Sequence, residues 1–487
     1  MRSKQFIPLA ILMGCVLLLL STFPSKVQAQ KHFRFRSDKT FKIAQFSDVH
    51  WDNNSANCPR TMAVIENVLK TEKPDLAVLT GDIVTAAPAK EGWKAIAQPF
   101  IDSKTSWAVV LGNHDGEPGP SRDEIFELLA TFPYFVGEKG PDLYGCGNYD
   151  IPVWSSDNKK VESVLYCIDS NNSNQIVYKD YDWIHFDQIN WYRETSKKYT
   201  AQNNNHPLPS LAFFHIPIPE YNEVVGQPST VGIKNEGIAS SHVNSGIFAS
   251  FLDMKDVMGV FVGHDHDNNY IGIHDNIALA FSEVTGYDTY GDLDRGARII
   301  ALKEGEYSFD TWIRTDKGVS FKYNYPAGLQ YDDKNADYSP AVEITGLKQG
   351  VRYNYYEGNY SSAKDLESAK AVKNGTLENI SIAPADQKDH FGFEFDSYLK
   401  IDKKGVYLFY LYSDDGAILY IDGKPVVNND GSHNARRADG RIGLDKGYHQ
   451  LKLMYFEDYE GQQLEVGISG LTIRETTIPN DMLFIKN

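Results

Sequence analysis

Two histidines two residues apart, His264 and His266, follow the apolar run Val257 to Val262 and a glycine, Gly263. At the end of an extended strand, side chains at i and i+2 point to the same side. Imidazole is a common ligand for divalent transition metals, so the pair reads as a metal-binding turn. Gly263 reads as the residue that lets the backbone turn tightly. Alone, a Gly-His-x-His run reads as readily as a solvated turn. Four earlier stretches share its layout, an apolar strand ending in metal-competent residues. They are Phe41 to His50 with Asp48-Val49-His50, Leu76 to Asp82 with Gly81-Asp82, Trp107 to Asp115 with Gly112-Asn113-His114-Asp115, and Leu211 to His215. Together the five supply Asp48, His50, Asp82, Asn113, His215, His264 and His266 as ligands, with His114 left over.

The elements that must position these residues follow from local patterning. Lys42–Ser47, Leu76–Thr80, Trp107–Leu111, Leu211–His215 and Val257–Val262 read as strands, and Asn148–Val153 with Val161–Ile168 as a strand pair. Pro59 to Lys70, with a proline near its first turn, reads as a helix, as do Arg122 to Thr131 and Trp183 to Lys198. Ile277–Phe281, Ala297–Leu302 and Tyr307–Ile313 make the second half β-rich. Two packed sheets with helices outside is the economical arrangement. The ligands then sit on loops at strand C-terminal ends, where a rigid scaffold aims them.

The chain has 487 residues, enough for two or three domains, and its 42% hydrophobic and 23% charged content is that of a globular protein. Its 29 tyrosines and 25 phenylalanines suit β-rich folds. A net charge of −17 argues against a general nucleic-acid binder. It leaves small phosphate substrates open, because bound metals supply local positive charge. Residues 1–29 read as a signal peptide, with Arg2 and Lys4, an apolar Ile7 to Leu20 too short for a membrane span, and a cleavage site at Val27-Gln28-Ala29. The mature chain is then secreted or periplasmic, with no transmembrane span. The rival reading takes Leu12-Met13-Gly14-Cys15 as a lipoprotein box. Cys58, Cys146 and Cys167 remain, an odd number. Cys146 and Cys167 are placed for a cross-strand bridge, and Cys58 reads as a packed thiol.

The five motifs, in this order and each behind a strand, resemble those of the calcineurin-like metallophosphoesterases over residues 41 to about 315. Phe213 to Glu220, Val243-Asn244-Ser245-Gly246 and Arg295-Gly296-Ala297-Arg298 look closest to a branch labelled purple-acid-phosphatase-like. The resemblance implies a four-layer αββα sandwich. It implies one metal held by Asp48, His50, Asp82 and His266. A second would be held by Asp82, Asn113, His215 and His264, with Asp82 bridging. It further implies phosphate-ester hydrolysis by a metal-bridged hydroxide, phosphomonoesters being favoured and phosphodiesters the same-fold alternative. His114 would face the leaving-group oxygen as acid or stabilise charge in the transition state, and Asp115 would hold the His114 ring. Nitrogen and oxygen ligands admit Mn, Zn or Fe. Purple acid phosphatases carry a tyrosine ligand shortly after the Gly-Asp motif. Here Ile83, Val84 and Thr85 follow Asp82, so no tyrosinate–iron colour is expected.

Asn244 and His242 are candidates to line the pocket, although Asn244-Ser245-Gly246 reads equally as a turn. Arg295 and Arg298 follow the metal motifs with Tyr287 and Tyr290, and could fork onto phosphate oxygens or form ordinary salt bridges. His185 and His206 fall outside the motif pattern.

After a connector at 319–345, a second β-rich segment runs through Phe391 to Ile401, Gly405 to Leu411, Ser413 to Gly423 and Gly447 to Glu457. This order resembles the PA14 domain, a β-sandwich, over about 346 to 475. In lectin-like members paired aspartates hold calcium that bridges to sugar hydroxyls, and Asp414 and Asp415 match that pair, on a loop that suits calcium. The residues alone equally support a capped turn before a hairpin at Asp422-Gly423. The expected chain is therefore a signal peptide at 1–29, an α+β αββα phosphoesterase domain at 30–318, a linker, and an all-β PA14-like sandwich at 346–475. Its partners would be a phosphate ester and a cell-surface or extracellular glycan. The rival is a surface glycan-binding protein whose phosphoesterase domain is a non-catalytic scaffold. The complete ligand set speaks against that rival.

Overall fold

The computed structural model describes residues 32–174, 180–227, 229–330, 337–470 and 473–486. The expected leader at 1–29, with Cys15, lies outside the described residues.

Residues 32 to 330 form two seven-stranded mixed sheets. In one, Thr40–Phe46, Leu76–Thr80 and Ser106–Val110 run parallel, and Gly296–Lys303, Phe309–Thr315 and Gly318–Tyr325 extend the sheet antiparallel on the other side of Thr40–Phe46. In the other, Val161–Cys167, Ser210–Phe213, Val257–Val262 and Ile277–Phe281 run parallel. Parallel strands put their C-terminal ends on one edge, which is why loops distant in sequence meet there.

Side-chain alternation sorts the layers. Phe213 and Phe261 point between the sheets and share a core with Phe46, Val109 and Phe309. Their neighbours Ala212, Phe214, Val260 and Val262 point outward, onto the helices Phe186–Gln202 and Ile247–Met254. The helices Cys58–Glu72 and Ala89–Ser103 cover the first sheet. The result is the αββα order. Local patterning does not reveal Ala89–Ser103, because it contains Gly92 and Pro99, both poor helix formers. Tertiary packing overrides them. Trp93, Ile96, Ala97 and Phe100 are buried, and a Cβ on Gly92 would stand 2.6 Å from Val84. Buried Gln45 ties the sheets at the functional edge, donating to Thr80 Oγ1 and to the Val262 carbonyl, each at 3.0 Å.

Residues from 338 onward form a second sandwich, with a five-stranded sheet centred on Gly405–Asp414 and an eight-stranded sheet centred on Phe391–Ile401 and Gly447–Glu457. Phe393, Phe395, Phe409, Leu411 and Leu453 lie in the core between them. The hairpin expected at Asp422-Gly423 forms, both residues being left-handed at φ 49° and 75° as a tight two-residue turn requires. Cys58, Cys146 and Cys167 are free thiols, so the Cys146–Cys167 bridge does not form. Among the described residues, no helix is long and apolar enough to cross a membrane.

Candidate metal centre

The strand ends deliver two clusters. Asp48, His50 and His266 offer one set of ligand atoms within 4.8 Å of one another, and Asp82, His215 and His264 a second. His266 Nε2 lies 3.4 Å from Asp48 Oδ1. Asp82 Oδ1 accepts the His114 amide at 2.7 Å. This leaves Oδ2 between the clusters, 3.1 Å from His215 Nε2 and 3.7 Å from His50 Nε2. Asn113 Oδ1 and His264 Nδ1 approach the same His215 nitrogen, at 3.1 and 3.2 Å.

The donor set fits metal. His215 Nδ1 gives its proton to the Thr80 carbonyl at 2.8 Å, so in the neutral ring Nε2 presents a lone pair. That lone pair faces a carboxylate oxygen, an amide oxygen and another imidazole nitrogen. Such a convergence of acceptors needs a cation or an added proton. Burial opposes a charge on His215, but Asp82 and Asp48 overcome it and push the ring up to about 9. Burial and the facing His215 push His264 down to about 3. Burial also opposes the charges of Asp48 and Asp82, yet the facing imidazoles hold both carboxyls below the usual range, Asp82 well below. Buried His50 Nε2 has no hydrogen-bond partner.

The backbone is forced into place. Asp48, His50, Asp82 and His264 all have positive φ, at 52°, 46°, 52° and 77°. Non-glycine residues adopt this region at a cost, and four together mark a site built for something other than stability. Gly263 is needed for a different reason from the expected one. It is not among the positive-φ residues; a Cβ there would stand 1.8 Å from Ser47 Oγ and 2.7 Å from Asp48 Oδ2. Gly81 needs both freedoms, with φ 85° and a phantom Cβ 2.4 Å from His215 Nδ1.

Several expected roles change. Asp115 does not hold the His114 ring. Its fully buried carboxylate accepts four backbone amides, those of Asp82 at 2.9, Ile83 at 2.8, Val84 at 3.0 and Gly112 at 2.8 Å. His114 Nδ1 instead pairs with Glu117 at 2.9 Å, its side chain 40% exposed and its ring centre 5.6 Å from that of His50. Arg295 and Arg298 are not free for phosphate. Arg298 is fully buried and donates to the carbonyls of Phe281 and Asn269 at 2.6 and 2.5 Å. Arg295 is spent on the carbonyls of Gly286, Leu293, Tyr290 and Gly291. Buried arginines on carbonyls replace backbone partners that the sheet does not provide. Asn244 is exposed and closes its own turn onto Gly246 while donating to Glu220 at 2.7 Å. His242 pairs with Asp180. His185 bonds Asp182 and, like His206, belongs to neither cluster.

Sequence reading missed Arg122 and Tyr181, and named Tyr290 without placing it against a ligand. Arg122 brings Gly112 and Asn171 together, donating to their carbonyls at 2.8 and 2.9 Å, and pairs with buried Asp169. Tyr290 stacks on His266, ring centres 4.2 Å apart, and Tyr181 meets His264 edge-on at 4.5 Å. Arg122 opens the helix Arg122–Leu129, Tyr181 ends the short strand Asp180–Tyr181 and Tyr290 lies on a loop, and none of them belongs to a strand that ends in a ligand motif.

In the second sandwich Asp414, Asp415 and Glu457 form a third cluster. Asp415 accepts the amides of His433 and Asp458 at 2.7 and 2.8 Å, and Asp414 that of Ala435 at 3.0 Å. Glu457 Oε2 accepts the Tyr455 hydroxyl at 2.9 Å, whereas buried Oε1 has no partner. Burial, with Asp415 and Asp414 nearby, pushes Glu457 up to about 8.

Comparison with known proteins agrees with this geometry. A model of the calcineurin-like phosphoesterase family matches residues 41–268, and a PA14 domain model matches 347–481. Probable inactive purple acid phosphatase 29 of Arabidopsis thaliana is 31% identical over 356 residues, covering 64% of this chain and 91% of that protein. Probable inactive purple acid phosphatase 14 of the same plant is 30% identical, covering 63% and 84%. Phosphatase DCR2 of Saccharomyces cerevisiae is 31% identical over 317 residues, covering 56% of this chain and 53% of the yeast protein.

Proposed function

The chain belongs to the calcineurin-like phosphoesterase family and carries a PA14 domain, and we propose that it is a dimetal phosphoesterase, acting on phosphomonoesters in preference to diesters. The observation that carries this reading is the convergence of Asp82 Oδ2, Asn113 Oδ1 and His264 Nδ1 on the lone-pair nitrogen of His215. Asp48, His50, Asp82 and His266 would hold one ion, and Asp82, Asn113, His215 and His264 the other, with Mn, Zn and Fe all compatible. Such a pair supplies Lewis acidity and an activated water for attack on phosphorus.

The chain's own residues do the rest. Asp82 divides its carboxylate, one oxygen held by the His114 amide and the other turned toward both clusters. Glu117 on His114 Nδ1 leaves Nε2 as the atom that hands a proton to the departing oxygen. Asp115 holds the Gly81–Val84 loop in register by its amide bonds, so that Asp82 keeps its aim. The plant relatives are named inactive and the yeast relative a phosphatase. The full set of donors here supports activity.

The N-terminal pattern supports export. The Asp414, Asp415 and Glu457 cluster supports a calcium-dependent glycan site that localises the enzyme, and equally a second reading, a glycan-binding protein on a silent scaffold. Metal content and turnover of p-nitrophenyl phosphate and bis-p-nitrophenyl phosphate, on the full chain and Asp82→Ala, separate the two. About two ions per chain, with turnover lost in the variant, supports the enzyme. Metal-free protein without turnover under Mn, Zn or Fe supports the scaffold.

A further inference from the structure

We propose, resting on the phosphoesterase reading, that Tyr290, on His266, with Tyr181 on His264, selects phosphate esters whose leaving group is an uncharged flat aromatic ring. The two tyrosines bracket the His264–His266 turn. Tyr290 lies on His266 at 4.2 Å with ring planes 28° apart, and Tyr181 stands edge-on to His264 at 4.5 Å and 89°. Each donor cluster therefore has one tyrosine ring against one of its histidines.

Tyr290 is held in a costly position. Its side chain is 57% exposed, with one face on His266 and the other toward solvent. Its hydroxyl donates to Glu236 Oε2 at 2.9 Å, and Glu236 Oε1 is itself braced by the Asp267 amide at 2.6 Å. Its carbonyl accepts from Arg295 at 3.3 Å. Fixed at backbone and hydroxyl, the ring does not swing to bury its open face. A pinned aromatic face beside the reacting centre offers stacking at low entropic cost. A phosphoryl group between the clusters would set its ester substituent against this rim. The carboxylate of Glu236, which accepts the Tyr290 hydroxyl, repels leaving groups that carry further anionic charge.

Two non-hydrolysable probes test this by calorimetry on the metal-loaded full chain, phenylphosphonate and methylphosphonate. The expected result is that phenylphosphonate binds about three- to tenfold tighter, the advantage of one good aromatic contact. Tyr290→Leu removes that advantage while two ions stay bound, and Tyr290→Phe keeps it. Equal affinity of the wild-type protein for the two probes overturns the proposal without any variant. Equal weakening of both probes in Tyr290→Leu also overturns it, showing that Tyr290 only positions His266. In either case the phosphoesterase reading stands. If neither probe binds the wild-type protein with two ions in place, that reading falls, and the proposal with it.

Discussion

Asp115 and Asp82 hold each other's loops. Asp115 Oδ2 accepts the Asp82 amide at 2.9 Å, while Asp82 Oδ1 accepts the amide of His114, next to Asp115, at 2.7 Å. The aim of the ligand carboxylate therefore depends on a residue that touches no substrate. Burial and the Asp82 charge push the Asp115 carboxyl up, and its amide bonds draw it back. Asp115→Asn keeps the size but turns one acceptor into a donor facing two amides. Each lost charge-assisted bond is worth about 1.5–3 kcal/mol, so the two lost bonds predict a loss of roughly 3–6 kcal/mol. Urea unfolding and metal titration check it, and an unchanged midpoint with full metal content would show that the amides find other partners.

Gly263→Ala places a methyl group where Ser47 Oγ stands, 1.8 Å away. Ser47 is itself bound to the Thr80 carbonyl at 2.9 Å and has little room to yield. We expect the turn to shift by enough to separate His264 from Asp48, whose two oxygens both accept the His264 amide at 3.1 Å. Metal content should fall below one ion per chain with the fold retained, as measured by atomic absorption beside circular dichroism.

Glu283 is buried, accepts a bond from Asn269 at 2.7 Å and is pushed by burial up to about 7 from an ordinary 4.5. The folded state thus holds a proton that the unfolded chain releases. Stability from this group is full below about pH 4.5 and declines as pH rises toward 7, by roughly 3 kcal/mol in all. Glu283→Gln keeps the Asn269 bond and removes the titration. Unfolding at pH 5 and pH 8 should show the variant gaining on wild type at the higher pH. A difference that does not vary with pH would refute the assignment.

Calcium at the Asp414, Asp415 and Glu457 cluster would give buried Glu457 Oε1 the partner it lacks. A modest extracellular site, with Kd on the order of 0.1–1 mM, stabilises by roughly 1.4–2.7 kcal/mol in ~10 mM calcium. Differential scanning calorimetry should show Tm rising by several degrees, an increase abolished in Glu457→Gln. No rise in the wild-type protein would leave the aspartates as loop braces for His433, Ala435 and Asp458.

The residue types and local periods already determined what this chain could do. Apolar runs ending in Asp, His and Asn set the strands and the donor chemistry, because strand period and ligand atoms are properties of a few neighbouring residues. The same holds for the hairpin at Asp422-Gly423. Tertiary structure decided which partner each polar atom meets. Asp115 and Arg298 read as catalytic or substrate groups in isolation, yet each is spent on backbone groups that the packed sheets bring near, and Arg295 is spent on carbonyls of its own loop, two to nine residues away. His215 Nδ1 finds its carbonyl 135 residues away, and Asp48 finds the His264 amide at a separation of 216. Bonds at such range depend on how two sheets stack, and no local pattern encodes them. The stacking of Tyr290 on His266 is decided in the same way, by a loop that has no motif of its own.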